Sequence, residues 1–414
     1  MLRLKLLVGF ISWMLLAAHA GAAEPLRLAV ITPLSGSFAL QGEWTVSQLR
    51  GAADLVNAKG GLFDGRKIEI VALDGKGNPQ DSLLALNQAI DSGIRYVAVN
   101  ISSVGHAVSD ALVKHNVRNP DRRIVLLLLD ARDPVLTEAK CHFWQFRLTY
   151  HTDTEVNYLA DYLAQQPAVR KIYLLNQDYA YGHSVQRTFR ELLPKKSTTI
   201  QIVGDDLVPL GKVKDFAPYA AKIRASGADS VVTGNWGNDL YLLVKAGRES
   251  GLDVRYYIFN GHVSGSVAGV GNAGTGKVVS LFGWHANVDG SPYESFNVEF
   301  RNKYKRTENF DYLGAHRAVL MLARGVHEAR SDDPLKVALA LEDMEFDGPE
   351  GRTRIRPEDH QLIAPLYMAR LTKAGEPGVK FDTENTGLGW KTVAKVEGKD
   401  AIPPIKCHVE RPTQ

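Results

Sequence analysis

The chain has 414 residues, room for roughly two or three domains. A hydrophobic content of 45% and a charged content of 23% are those of an ordinary globular protein. The net charge of +3, with no basic run, no paired Cys/His finger and no aromatic RNA-binding box, argues against nucleic-acid binding.

The first stretch reads as a secretory signal covering residues 1–23. Arg3 and Lys5 precede an apolar core from Leu6 to Ala18, and small residues at 18–22 offer cleavage near residues 20–23. That core is shorter than the ~20 residues of a spanning helix. No cysteine follows it, so no lipid anchor is expected, and the mature chain should be exported and soluble. The two cysteines, Cys141 and Cys407, then read as a disulfide formed in an oxidising compartment. Closing so long a loop contributes at most on the order of 4–5 kcal/mol in the chain-entropy model.

Leu26–Pro33 predicts a first strand, a glycine-punctuated loop follows to Gly42, and Trp44–Asn57 carries helical spacing. A strand at Lys67–Asp74 and a helix at Pro79–Asp91 come next. The run Tyr96–Asn100 is β-branched and of strand length, and it stops at Ser102 and Ser103, where a helix pattern begins. A hydroxyl there is a helix N-cap, and a strand running into a capped helix start is also an anion-binding geometry. A strand at Ile124–Asp130 completes this unit.

The alternation restarts near Tyr150. Helices are predicted at Thr154–Gln165, Gly182–Leu193, Phe216–Ser226 and Asn238–Ser250. Strands are predicted at Lys171–Leu175, Ile200–Val203, Ser230–Thr233 and Val254–Phe259. Three more helices (about 293–306, 312–330 and 333–341) and a β-rich tail at Leu366–Val396 follow. Two α/β units with parallel sheets and helices on both faces result.

Enzyme signatures do not appear. There is no G-x-S-x-G elbow, no H-E-x-x-H and no Walker A. Gly269–Gly274 matches G-x-G-x-x-G but precedes a strand instead of opening a helix, so it reads as a loop. His106, His115 and His151 are scattered without metal-ligand spacing. No metal and no cofactor are expected.

Ordered motifs along the chain carry a resemblance. They are Ile31–Gly36 (ITPLSG), Val56–Gly61 (VNAKGG), Ile68–Asp74, Asp133–Thr137, Phe146-Arg147, Asp178–Gly182 and Asp359–Gln361. In order and spacing these resemble the periplasmic leucine/isoleucine/valine-binding proteins, solute receptors of ABC importers, over about Leu26 to Val396. The resemblance implies the type I periplasmic binding fold: two Rossmann-like lobes joined by a three-strand hinge, with the ligand between them. The first lobe is expected to take 24–148 and 284–352, the second 149–283 and 353–414. Crossovers are expected near Arg147–Thr149, Phe282–His285 and Arg352–Arg356. A periplasmic, monomeric, non-enzymatic receptor delivering a small solute to ABC permease subunits follows. A sensing or accessory role toward a membrane sensor or another exported enzyme would use the same fold.

The family pattern also implies site residues. Ser102, with Ser103 beside it, stands where a hydroxyl grips the ligand carboxylate, and Ala131 and Arg132 stand at the next strand's end. Arg132 is expected as a bidentate carboxylate fork, or else as a surface arginine paired with Asp130 or Asp133. Tyr181 (with Tyr179 as its neighbour and alternative) and Trp236 are expected to cover the ligand; core burial is the other reading of Trp236. Amino-acid binders of this family carry a glutamate where this chain has His262, and no carboxylate occurs between Arg255 and Asp289. His262 is then either a site residue or a loop histidine with a structural hydrogen bond. An ammonium buried without a partner costs several kcal/mol, so the expected ligand is an organic or aromatic acid without an amine, a branched-chain amino acid being the alternative.

Overall fold

Five short runs lie side by side as a fully parallel sheet: β1 (Leu26–Thr32), β2 (Ile68–Asp74), β3 (Tyr96–Val99), β4 (Val125–Leu128) and β5 (Gln145–Arg147), in the order β2-β1-β3-β4-β5. Strands buried on both faces need no polar alternation, which is why β3 and β4 are continuously apolar. The computed structural model describes residues 24–289, 294–305, 309–348, 350–400 and 402–412. The signal segment expected at 1–23 lies outside the described residues.

Helices α1 (Ala39–Ala58), α2 (Pro79–Asp91) and α3 (Ser102–Arg118) cover this first sheet. The start of α2 is written locally: Pro79 fixes the first turn and the Asn78 side chain accepts from Asp81 N at 3.0 Å. The start of α3 differs from the expectation. Ile101 is the residue before the helix, Ser102 is already helical, and its hydroxyl does not cap. It turns instead toward the loop after β4.

The second lobe is built from α4 (Thr152–Ala164), β6 (Lys171–Gln177), α5 (Ala180–Lys196), β7 (Gln201–Val208), α6 (Ala217–Ser226), β8 (Ser230–Thr233), α7 (Asn238–Glu249), β9 (Arg255–Ile258), α8 (Ser266–Val270) and β10 (Val278–Phe282). The chain then returns to the first lobe as α9 (Glu294–Tyr304), α10 (Leu313–Ala329), which packs on α1, and α11 (Pro334–Leu341). A small antiparallel sheet follows, β11 (Glu345–Gly348), β12 (Gly351–Ile355) and β13 (Leu362–Ile363). Finally β14 (Leu366–Lys373) and β15 (Leu388–Val396) join the second sheet, whose order is β15-β14-β10-β9-β8-β6-β7. The chain thus forms two α/β lobes. Among the described residues no helix is long and apolar enough to cross a membrane.

The chain crosses between the sheets after Arg147, after Phe282, and between Ile363 and Leu366. The third crossing lies later than the expected Arg352–Arg356, because that stretch is taken up as β12 between β11 and β13. A single bridge, Arg147 to Gln361, ties β5 to the approach of this crossing. The tail after β15 also returns to first-lobe elements. Cys407 is disulfide-bonded to Cys141, Val409 N donates to Glu358 O at 2.7 Å, and Lys406 pairs with Glu138 at 2.8 Å.

Two glycines set how closely the elements approach. A Cβ on Gly182 would sit 1.8 Å from Gln177 O, and one on Gly314 would sit 2.1 Å from Leu129 O. Only glycine lets the first turn of α5 lie on the end of β6, and the start of α10 on the end of β4.

Candidate functional site

Loops leaving the carboxyl ends of strands in both lobes converge on one cavity, the position where open α/β sheets hold ligands. It is lined from the first lobe by Gln41, Trp44 and Thr45 of α1, Asn100 and Ile101 after β3, and Asp130 and Arg132 after β4. The second lobe contributes Tyr179 and Tyr181 after β6, Trp236 after β8, and Asn260 and Val263 after β9; Tyr312 comes from the turn before α10. The lobes touch around it: Gln41 Nε2 donates to Ser264 O at 3.2 Å, and the rings of Phe38 and Trp236 are 4.2 Å apart. The cavity is about 40 Å³, and a second chamber of about 30 Å³ adjoins it across Asp130, Arg132 and Tyr312. Each exceeds the ~10–15 Å³ that one water needs.

The polar wall is centred on Arg132, and its backbone is held from three sides. Ser102 Oγ accepts from Arg132 N at 3.1 Å and from Asp133 N at 3.3 Å. Arg147, fully buried, donates to Arg132 O at 2.9 Å and Asp133 O at 2.6 Å, and Thr152 Oγ1 donates to Arg132 O at 2.7 Å. The guanidinium is thereby fixed, and it is itself engaged. Its Nε and Nη2 each lie 2.6 Å from Asp130 Oδ1, and Nη1 donates to Glu155 Oε1 at 2.9 Å and Phe259 O at 3.3 Å. The Tyr181 ring is 5.7 Å from the guanidinium carbon, within cation–π range.

The opposite wall is aromatic. Trp236 donates from Nε1 to Tyr179 Oη at 3.0 Å and backs onto Phe38. Trp44 stacks on Tyr312 at 4.5 Å. Four buried polar atoms of the lining have no hydrogen-bond partner among the described residues: Gln41 Oε1, Trp44 Nε1, Asn100 Oδ1 and Tyr181 Oη. Orphans of this kind call for an occupant with both donors and acceptors.

Electrostatics follow from burial. Burial works to raise Asp130, but the Arg132 charge and the His262 contact at 3.7 Å outweigh it and hold its carboxyl below the usual range. Burial likewise works against the Arg132 charge, and Asp130 and Glu155 overcome it. Glu155 is different: burial pushes it up to about 7 despite its contact with Arg132. Burial also lowers His262, favouring its neutral form. Arg132 and Asp130 cancel, and Glu155, which lines the second chamber, is a further acid paired to Arg132.

A periplasmic binding protein model matches residues 25–376. The chain belongs to that family. It is 29% identical over 411 residues, 96% of each chain, to a Leu/Ile/Val-binding protein homolog from Brucella melitensis. A leucine-, isoleucine-, valine-, threonine- and alanine-binding protein from Brucella ovis, solved in a closed conformation, superposes with a TM-score of 0.81 at 25% identity, over 94% of this chain and 100% of that one. A Rhodopseudomonas palustris solute-binding protein solved with 3,4-dihydroxybenzoic acid has the same fold, with a TM-score of 0.77 at 18% identity over 90% and 98%. This family binds solutes and does not turn them over; the chain is a binding protein, not an enzyme.

Within this family member the expected site residues divide. Arg132, Tyr181 and Trp236 line the cavity, and so does Tyr179, named as an alternative to Tyr181. His262 lines the second chamber. Ser102 and Ala131 are buried beneath the wall, and Ser103 is not among the lining residues. Arg132 is buried in the cleft and paired there with Asp130, not exposed at the surface. Gln41, Trp44, Asn100, Asn260 and Tyr312 were not anticipated. Trp44 and Tyr312 stand at the starts of helices predicted from sequence, while Asn100 ends a predicted strand run and is the one of these with a local signal.

His151 does meet acidic partners that its sequence spacing gave no sign of, Glu138 and Asp153. Its Nδ1 accepts from Asp153 N at 3.2 Å, which leaves the ring proton on Nε2, facing Glu138. Lys406 already supplies Glu138 with a cation, so the group is a structural clamp on the tail.

Proposed function

We propose that this protein is the periplasmic receptor of an ABC importer for a small solute without net negative charge, either uncharged and polar or zwitterionic. The carrying observation is the pairing of Arg132 with Asp130 at 2.6 Å inside the cleft. A lone carboxylate would enter a cavity whose one guanidinium is already neutralised by Asp130 and is also paired, from the adjoining chamber, with a second acid, Glu155. Burying an uncompensated charge costs several kcal/mol. A zwitterion brings its own cation, and an uncharged amide brings the donors and acceptors that Gln41, Trp44, Asn100 and Tyr181 lack. The aromatic wall of Trp44, Tyr179, Tyr181 and Trp236 suits a planar or aliphatic body.

This reading departs from the amine-free acid expected from sequence, because Asp130 and Glu155 supply the acidic groups that the His262 loop lacks. A thermal-shift screen on the mature protein tests it. Benzamide, uncharged amides and the amino acids are set against benzoate and aliphatic acids, and a solute at a hundred times its Kd adds about 2.7 kcal/mol. Stabilisation confined to the uncharged and zwitterionic members is expected. Stabilisation by the acids alone would overturn the reading.

A further inference from the structure

The turn that joins β14 to β15 in the second sheet reaches residues of both lobes. At its tip Glu384 and Asn385 have φ angles of 62° and 54°. Residues with side chains hold this left-handed backbone only where their surroundings enforce it. One set of enforcing contacts comes from the first lobe. Arg301 of α9 donates from Nη2 to Asn385 Oδ1 at 2.5 Å and from Nη1 to Asp382 Oδ1 at 3.4 Å. Asn309, ahead of α10, donates to Thr383 Oγ1 at 3.2 Å and to Asp382 O at 3.3 Å. Asn309 is itself fixed to the first lobe, since Gln48 Nε2 of α1 donates to its carbonyl at 2.9 Å. It shares a loop with Tyr312, which lines the front cavity.

The other set lies within the second lobe. The Glu384 carboxylate accepts from Gly265 N and, at 2.5 Å, from Ala268 N, N–H groups at the start of α8. That anchors the loop leading into α8. Asn260 and Val263 of this loop line the front cavity, and Ser264 O accepts from Gln41 Nε2 of α1 across the cleft at 3.2 Å.

We propose that the Asp382–Asn385 turn is a latch between the lobes, and that Glu384 is a positioning residue for the binding loop Asn260–Ser264. Hinge opening separates groups that stand on opposite lobes, so it breaks the Arg301 and Asn309 contacts while those of Glu384 persist. The latch favours the closed arrangement for any solute the cleft takes, charged or not, and Glu384 passes its grip to the loop that faces the solute. Stabilising the closed state slows release more than it alters capture.

The test measures interlobe distance by pulsed electron–electron resonance. Nitroxides are placed on Glu43→Cys of α1 and Lys214→Cys of the second lobe, both exposed positions; Cys141 and Cys407, being disulfide-bonded, take no label. This measurement needs no solute. Arg301→Ala/Thr383→Val, which weakens the first-lobe grip, and Glu384→Gln should each lower the ratio of short to long distances by about threefold or more. All three changes together should go no further than the first pair, because both act through one turn. Release is followed by stopped flow for the tightest binder among two shape-matched sets. The aliphatic set is isopentylamine, leucine, 4-methylpentanamide and 4-methylpentanoate; the aromatic set is benzylamine, phenylglycine, benzamide and benzoate. Its dissociation should quicken by about threefold or more in the variants, with association within about twofold. A cooperative urea transition and an unchanged far-ultraviolet circular dichroism spectrum show that each variant is folded. A turn with a purely structural role would lower the urea midpoint and leave the distances alone, and distance distributions identical to wild type in the Arg301/Thr383 variant would overturn the latch. A shift in that variant but none in Glu384→Gln, or a Glu384→Gln effect that persists in full without the first-lobe grip, would overturn the role of Glu384.

Discussion

The two strand ends that face each other across the cleft are built on opposite principles. After β4, the stretch Asp130–Asp133 is a dense polar knot: Ser102, Arg147 and Thr152 hold its backbone, and Asp130 and Glu155 hold its guanidinium. After β8, Gly234–Gly237 presents a single large ring, Trp236, steadied by one hydrogen bond to Tyr179 and by Phe38 across the gap. The first end is pre-organised before a solute arrives. The second takes part of its support from Phe38 of the other lobe. Charge selection therefore belongs to the first-lobe knot and the Glu155 that docks on it, and shape selection to the second lobe.

The comparison breaks most severely at Arg147. Arg147→Met would remove one buried charged donor from each of the Arg132 and Asp133 carbonyls, which keep Thr152 and Leu136 N as their other donors, and a loss of about 3 kcal/mol in urea unfolding is expected. A loss below about 1 kcal/mol would mean the knot is not held from this side.

Glu155 gives a pH signature of similar or smaller size. An ordinary glutamate titrates near 4.5 and this one near 7. Below the lower value both folded and unfolded chains hold the proton. Between the two values the unfolded chain releases it while the folded one keeps it, so stability falls as pH rises through this window and levels off above it. Relative to wild type, Glu155→Gln should gain stability across that window by at most about 3 kcal/mol. A pH-independent difference between the two proteins would contradict the assignment.

Asp130→Asn sharpens the charge argument, since it leaves Arg132 with one less anion. Carboxylate probes should gain about 1.5–3 kcal/mol in binding relative to their amides. No gain would mean that Arg132 is not accessible to a solute. The smallest effect is expected on the aromatic side: Trp236→Leu should cost about 0.5–1.5 kcal/mol for the aromatic probe set and less for the aliphatic set. Equal losses in both sets would give Trp236 a packing role only.

Much of the fold was legible because each element carries its own local signal. Asn78 and Pro79 start α2, continuous apolar runs mark the parallel strands, and the ordered motifs from ITPLSG to Asp359–Gln361 carry the family resemblance. The site was legible only where a side chain projects from a strand end, as with Arg132, Tyr181 and Trp236. What escaped was pairing. Glu155 lies 23 residues from Arg132 on a predicted helix, and no periodicity distinguishes a cleft glutamate from a solvated one. Ser102 fitted an N-cap by residue type, yet its hydroxyl serves two N–H groups of a loop about thirty residues away. The third crossing lies later because β12 is too polar, and β13 too short, to read as a strand.

The central claim is that the cleft rejects net negative charge. The most direct measurement is isothermal titration of solute-free wild-type protein at neutral pH with the shape-matched amine, amino acid, amide and acid of one skeleton. The acid is expected to bind at least about tenfold more weakly than the best of the other three. An acid that binds as tightly as or more tightly than all of them would contradict it and return Arg132 to the role of an open carboxylate fork.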